Sequence, residues 1–269
     1  MEILKHTSRM SAGSEPIPDS IVGFRITQDA ACRAARHTLC GAWWKRSSAF
    51  DAVLEPRAFR AIYVPFWYFY GTAECAYTGE WGEEEDFRDS DGNWQTDTYW
   101  HSIRGESSYD LDSAMLLCSA CTSTAHLAGL FPYDMTDAEA YAPEAVGNAS
   151  RAACTRTWEE AWKIAQKTAL EMCRSRIRAE LGQAYDTDLI SVQSVEASYP
   201  DLVPELILLP LWECSFVHGG TTYVIHVNGQ TGRVRGELPT SWLRVSLLAM
   251  AALGTLLLPL LFAMFVLSR

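Results

Sequence analysis

Lysine is scarce in this chain: Lys5, Lys45, Lys163 and Lys167 are the only ones, against 33 aspartates and glutamates, and the formal net charge is −11. Setting aside Arg244 and Arg269 near the C-terminus, residues 1–241 carry −13, because every acid precedes Trp242. No Lys/Arg cluster exists from which a phosphate-binding face could be built, so nucleic acid is excluded as a partner. The same acidity works against adsorption of this surface to anionic lipid headgroups. Catalytic signatures are missing as well. There is no Gly-x-Ser-x-Gly elbow, no His-Glu-x-x-His, no phosphate-cradling Gly-x-x-x-x-Gly-Lys and no dinucleotide glycine fingerprint. The eight cysteines form no regular framework, as expected of a reducing compartment in which they serve as small buried hydrophobes.

One long apolar run is present. Val245–Leu267 reads VSLLAMAALGTLLLPLLFAMFVL without a charge, which matches the roughly 20 residues a helix needs to cross about 30 Å of hydrocarbon. Arg244 and Arg269 bracket it, and Trp242 sits where an interfacial aromatic belongs. The first 20 residues hold no apolar stretch of secretory-signal type. With Arg233, Arg235 and Arg244 on the domain side, the expected topology is a single-pass membrane protein whose N-terminal part is cytoplasmic. The lipid bilayer is then a partner through residues 243–267.

Periodicity divides the remainder. Residues 1–22 mix Ser, Pro and Gly without pattern and are expected to be loosely ordered. Thr27 is placed to cap a helix running to about Lys45, with an apolar stripe at Ala30, Ala34, Leu39, Ala42 and Trp43. Ala58–Tyr70 reads as a strand and Ala73–Tyr77 as its continuation. The acidic stretch Glu80–Asp91 is then expected as a polar turn before a strand at Trp94–Ile103. Leu111–Ala128 is expected to be helical, and Phe131–Met135 to cross a surface as a loop. Thr136 and Glu139 have capping-box spacing for one short turn. Thr157 and Glu160 form a second such box, ahead of a helix whose apolar residues recur from Trp158 to Leu181, with Gly182 as its stop. Strands follow at Leu189–Ser198, Leu206–Val217 and Thr222–Asn228, then a turn at Asn228–Gly232 and a short strand from Val234.

The two halves share a motif. Pro65 and Trp67 align with Pro210 and Trp212, each in a strand that follows a helix and leads into a hairpin. The expected fold class is therefore α+β: two tandem helix-plus-antiparallel-sheet units followed by one C-terminal transmembrane helix. The boundaries are 23–150 for the first unit with a helical insertion, 151–240 for the second, and 243–267 for the spanning helix.

The segments Tyr63-Val-Pro-Phe-Trp67, Phe131-Pro-Tyr-Asp134, Leu209-Pro-Leu-Trp212 and Tyr223-Val-Ile-His-Val-Asn-Gly-Gln-Thr-Gly232 resemble a family of uncharacterised bacterial membrane proteins. Its members often carry an N-terminal zinc ribbon and are labelled zinc-ribbon or helicase-like; the ribbon's cysteine pairs are absent here. The Asn228, Gly229, Thr231, Gly232 turn also resembles the strand–turn–strand of peptidase-propeptide (PepSY-like) modules. The resemblance implies no activity, no cofactor and no catalytic residue.

Chemistry-bearing residues are few. Cys118-Ser-Ala-Cys121 is the one Cys-x-x-Cys; it is read either as two small residues on a buried helix or as a candidate metal or thiol site lacking two further ligands. Asp89-Ser-Asp91-Gly92 imitates part of a calcium loop, but Phe87 and Thr98 stand where its first and last ligands would be. The aromatics Tyr63, Trp67, Tyr68, Phe69, Tyr70, Tyr77 and Trp81 are divided by strand alternation between core and a possible groove. The expected function is a membrane-tethered cytoplasmic interaction module, without catalysis, binding a protein or peptide. The alternative is a metal- or thiol-dependent enzyme using Cys118 and Cys121. A reporter fused to the N-terminus is expected to read cytoplasmic, and deletion of 245–267 to release the chain from membranes. An exported N-terminal reporter would overturn the topology.

Overall fold

The computed structural model describes residues 16–40, 55–111, 116–119, 127–218 and 220–236. The proposed spanning helix at 243–267 lies outside the described residues, and no helix within them is long and apolar enough to cross a membrane. The architecture is α+β, with strands outnumbering helices. Two compact units are present. The first is made of residues 1–20, 65–122 and 153–208, the second of 21–64, 123–152 and 209–269.

This division corrects the tandem expectation: each unit draws on three separate stretches of chain. The physical reason is two strands that begin in one unit and end in the other. They are β2 (Phe59–Tyr70), which crosses at Pro65, and β9 (Val203–His218), which crosses after Leu208. The ordered chain also starts earlier than residue 23. Ser20–Val22 form strand β1, fully buried, because Asp19 and Leu206 exchange hydrogen bonds: the Asp19 N–H donates to the Leu206 carbonyl, and the Leu206 N–H to the Asp19 carboxylate.

In the first unit, helix α2 (Trp158–Tyr185) starts as expected. The Thr157 hydroxyl accepts from the Glu160 N–H, and the Glu160 carboxylate accepts from the Thr157 N–H, satisfying two donors that a helix start leaves over. Its buried residues fall every fourth position: Ala161, Ala165, Ala169, Cys173, Ile177 and Leu181. These six residues share one buried cluster with Trp67, Phe69, Cys75 and Ile190. The helix passes Gly182 and ends at Asp186 in the left-handed conformation, one turn beyond the expected stop. Against it lies a three-stranded antiparallel sheet in the order β4 (Trp94–Asp110), β3 (Thr72–Arg88), β8 (Ile190–Ser198). Strands β3 and β4 pair over 17 residues from Thr72–Asp110 to Arg88–Trp94, so the expected turn at Glu80–Asp91 is strand as far as Arg88. Strand-forming residues in β4 (Trp94, Thr96, Thr98, Tyr99, Trp100 and Ile103) offer β3 a full-length partner, and this outweighs the acidity that suggested a loop. The expected helix at 111–128 is corrected too: Leu116–Ser119 form β5, antiparallel to Phe66–Phe69 of β2.

A sharp corner joins β2 to β3 at Gly71, whose φ is +126°. A Cβ there would lie 2.6 Å from the Asp201 carbonyl oxygen, so glycine is required. The corner is pinned by the Asp201 carboxylate, which accepts from the Thr72 N–H at 2.7 Å and the Thr72 hydroxyl at 2.9 Å.

In the second unit, helix α1 (Gln28–Cys40) is capped by the Thr27 hydroxyl, which accepts from the Ala30 N–H at 3.3 Å. Its buried face (Ala31, Cys32, Ala35, Leu39) covers Cys214 and Phe216 of β9 with Ile225 and Val227 of β10 (Thr221–Asn228). Strand β10 pairs with both β9 and the short β11 (Val234–Gly236). Strand β6 (Ala138–Ala140) completes the order β11-β10-β9-β1-β6, and the start of β2 pairs in parallel with β7 (Ser150–Arg151).

The two Pro-x-Trp strands therefore serve the opposite helix from the one expected. The Trp67 indole N–H donates to the Arg156 carbonyl at 2.9 Å, one residue before the cap of α2. The Trp212 indole N–H donates to the Ile26 carbonyl at 3.2 Å, one residue before the cap of α1. Each strand follows one helix in sequence and packs with the other.

The two Thr72 donors hold the Asp201 carboxyl below the ordinary aspartate range. A depressed folded-state pKa contributes stability above the unfolded value of about 3.9 and loses it as pH falls through the folded value. Asp201→Asn is therefore expected to flatten the decline of the urea midpoint below roughly pH 4; an unchanged slope would remove the carboxylate from the corner's stability.

Candidate functional site

The Asn228–Gly232 turn singled out in the sequence is a closed polar knot. Asn228 is fully buried. Its side-chain amide donates to the Leu130 carbonyl at 2.9 Å and the Pro132 carbonyl at 3.2 Å, and its oxygen accepts from the N–H groups of Gln230 and Thr231 at 2.8 and 2.9 Å. Both donors and both lone pairs are used. Gln230 repeats the pattern: its oxygen accepts from the Asp134 N–H, and its amide donates to the Asp134 carbonyl and the Asp137 carboxylate. Gly229 admits no side chain, since a Cβ would sit 2.7 Å from Pro210 and 2.8 Å from Phe24. Gly232 has φ +73°, which fits glycine at the end of the turn. Outside the knot, Arg25 pairs with Asp134 and Asp137, and the hydrogen bonds Asp134 accepts from Thr136 and Arg25 hold its carboxyl below the usual range.

Phe131–Asp134 is irregular, as expected of a surface loop, with Pro132 and Asp134 exposed, but one of its side chains turns inward. Tyr133 is buried and its hydroxyl donates to the Pro210 carbonyl at 3.1 Å. Asp134, rather than Thr136, caps the short 3-10 turn Met135–Asp137. The motif residues Pro65, Trp67, Pro210 and Trp212 lie in strands, and Asn228, Gly229, Thr231 and Gly232 form the turn. All are accounted for by structure.

The candidate cysteine pair takes another form than expected. Cys118 lies in strand β5 opposite Trp67, not on a buried helix, and Cys121 is outside the described residues. Among the described residues no three His, Cys, Asp or Glu side chains are grouped to hold a metal ion. Two other thiols meet under α2. Burial, and then the neighbouring Cys75 thiol, push Cys173 up to about 12, which suppresses the thiolate. His226 faces Glu213 directly across β10 and β9 at 3.3 Å, with Arg60 3.7 Å from the same carboxylate. The bond from His226 holds the Glu213 carboxyl below its ordinary range.

An open surface exists in the first unit. On the face of the β4-β3-β8 sheet turned away from α2, register places three rows side by side: Ser108, Glu74 and Ser198; Glu106, Ala76 and Glu196; Arg104, Thr78 and Ser194. All nine are exposed, whereas Cys75 and Tyr109, which point to the helix side, are buried. Two adjoining hollows of about 760 and 640 Å³ share Ala76, Glu106 and Glu196. The floor is of small residues, and Thr78 and Ser194 share a hydrogen bond at 2.6 Å. Three glutamates and one arginine stand around it. Chemically this is a shallow, predominantly acidic trough in which only Ala and Ser side chains separate the solvent from the sheet backbone at several positions.

Of the aromatics expected to be divided between core and a groove, Tyr63, Trp67, Tyr68 and Phe69 are buried, while Tyr70, Tyr77 and Trp81 are partly buried. The trough went unread because its residues are individually ordinary and come from strands about 30 and 90 positions apart in sequence. One signal was legible: the alternation Glu74, Ala76, Thr78 against Ala73, Cys75, Tyr77. No family model, curated protein or solved structure matches this chain, so the family resemblance brings no residue roles to either surface.

Removing the Asn228 side chain strands the buried Leu130 carbonyl, the partly buried Pro132 carbonyl and two N–H groups. Asn228→Ala is expected to cost about 2–4 kcal/mol of stability in urea unfolding. Thr231→Ala, at an exposed position, should cost about 1 kcal/mol or less. Equal small losses would mean that water replaces the knot.

Proposed function

We propose that this protein is a membrane-tethered cytoplasmic interaction module, not an enzyme, that holds a protein or peptide segment in the trough of its three-stranded sheet. The observation that carries the reading is the uncovered sheet face, which offers small side chains at its centre and glutamates at Glu74, Glu106 and Glu196 around them. An uncovered face of this kind can accept an extended ligand without rearranging the core. The tether is the apolar run Val245–Leu267. Confinement to the membrane plane would raise the effective concentration of the trough for any partner also held there, so a modest intrinsic affinity suffices. The proposed family kinship adds no chemistry to this reading.

Crosslinking in intact cells, followed by mass spectrometry of what co-purifies, tests it. A partner is expected that is recovered with the full chain and falls at least about fivefold with residues 1–241 or with Glu106→Gln/Glu196→Gln. A partner indifferent to the double substitution would move the site away from the trough. Stoichiometric zinc in the purified protein, lost in Cys118→Ser/Cys121→Ser, would replace the reading with the metal-dependent alternative.

A further inference from the structure

Beyond Trp81, strand β8 stops and the pair β3–β4 continues alone. The base of this extension is held firmly. Trp81 stacks between His101 at 4.5 Å and Tyr185 at 4.6 Å, and the Gly82 N–H donates to the Leu189 carbonyl. From Glu83 to Trp100 the two strands form an arm about 20 Å long. It closes on a tight turn in which the Asp89 carboxylate accepts from the N–H groups of Asp91 and Asn93. Apart from half-buried Asp89, every residue of the arm is exposed. A two-stranded ribbon with neither face covered is marginal by itself in water.

The arm nonetheless carries the main concentration of exposed large hydrophobics: Trp94 at 67%, Tyr99 at 51%, Trp100 at 50% and Phe87 at 38% exposed. Register puts Trp94 and Trp100 on the same face as the trough and Phe87 and Tyr99 on the other. Aromatics displayed in this way are the side chains that anchor protein interfaces. Among the described residues no strand pairs with the outer edge of β4, and along its arm portion, Trp94–Trp100, alternate backbone N–H and C=O groups face away from β3 toward a further strand.

Charge selects the occupant. The arm holds seven acids (Glu83, Glu84, Glu85, Asp86, Asp89, Asp91, Asp97) and one base, Arg88. Glu85 and Asp97 are directly opposite one another in the ladder, where like charges repel. A second copy of the chain is disfavoured, because pairing two such arms would bring fourteen acids together. A basic strand is favoured, and the arm already shows how it would be received: the Arg88 guanidinium lies over the Trp94 ring, 4.8 Å from its centre.

We propose that a basic, extended polypeptide segment adds to the outer edge of β4 as a further strand, with arginine or lysine side chains reaching Trp100 and the arm's acids. This deepens the interaction reading above and rests on it. Main-chain bonds to β4 supply register-independent affinity, and alternate side chains of the added strand fall on the trough face, where Glu106 of β4 continues the acidic track.

The test uses the full chain in detergent micelles and a fluorescein-labelled nine-residue peptide of alternating arginine and threonine. A second peptide is N-methylated at alternate residues, so that it keeps its charge but loses half of its backbone donors. The first peptide is expected to bind, to weaken at high salt, and to protect amides within 94–103 from hydrogen exchange. N-methylation, Trp94→Ala/Trp100→Ala, or Glu84→Gln/Glu85→Gln/Asp97→Asn should each weaken it roughly tenfold. The last variant keeps the aromatics and the strand residues that form the arm, so it separates loss of charge from loss of the arm itself. Equal binding of the N-methylated peptide, with no amide protected, would overturn strand addition, leaving the acids to keep a bare edge soluble. Binding that is abolished by Glu106→Gln/Glu196→Gln but indifferent to every arm variant would overturn the arm and leave the trough standing. Absence of binding would overturn the arm inference alone, since the trough is tested independently by the cellular crosslinks.

Discussion

Two indole N–H groups determine how the chain is put together. A buried tryptophan needs an acceptor for its one donor. Trp67 and Trp212 both find it in the carbonyl immediately before a helix cap. That carbonyl is fixed by the cap that follows it, so the bond sets where the helix begins relative to the strand. Once α2 is anchored at Arg156, its fourfold-spaced stripe from Ala161 to Leu181 falls on Phe69, Cys75 and Ile190. Once α1 is anchored at Ile26, Ala31 to Leu39 fall on Cys214 and Ile225.

Local signals were readable in the sequence, and partnership was not. Caps at Thr27 and Thr157, the strands at Phe59–Tyr70 and Thr221–Asn228, and the turn at Asn228 are short-range properties, and they lie close to where the residues indicate. Two errors share one cause. Glu80–Arg88 has the composition of a loop, and Leu116–Ser119 lies in a run with the composition of a helix; in both, pairing with another strand outweighs local preference. The exchanged helix–strand pairing had no local signature at all, since either assignment satisfies the same periodicity. The Tyr133 hydroxyl and the Asn228 amide were hidden for the same reason: their acceptors lie about 77 and 98 residues away.

The two units spend their polar groups differently. Around Asn228 and Gln230, donors and acceptors of both side chains are matched within the protein. Around Ala76 the glutamates face water, and beyond Trp81 even the backbone of the sheet edge does. Bonding capacity is thus satisfied internally in one place and left to the solvent in the other.

The exchange of strands between units also sets an order of events during synthesis. Leu39 leaves the ribosome about 190 residues before Ile225 and Val227, against which its helix packs. At ordinary elongation rates of about 5–20 residues per second, the apolar face of α1 is without its sheet for roughly 10–40 s. Neither unit can close from the N-terminal half of the chain alone, so the nascent protein is exposed for most of its own translation, and a holdase that recognises a short amphipathic helix has that whole interval in which to act.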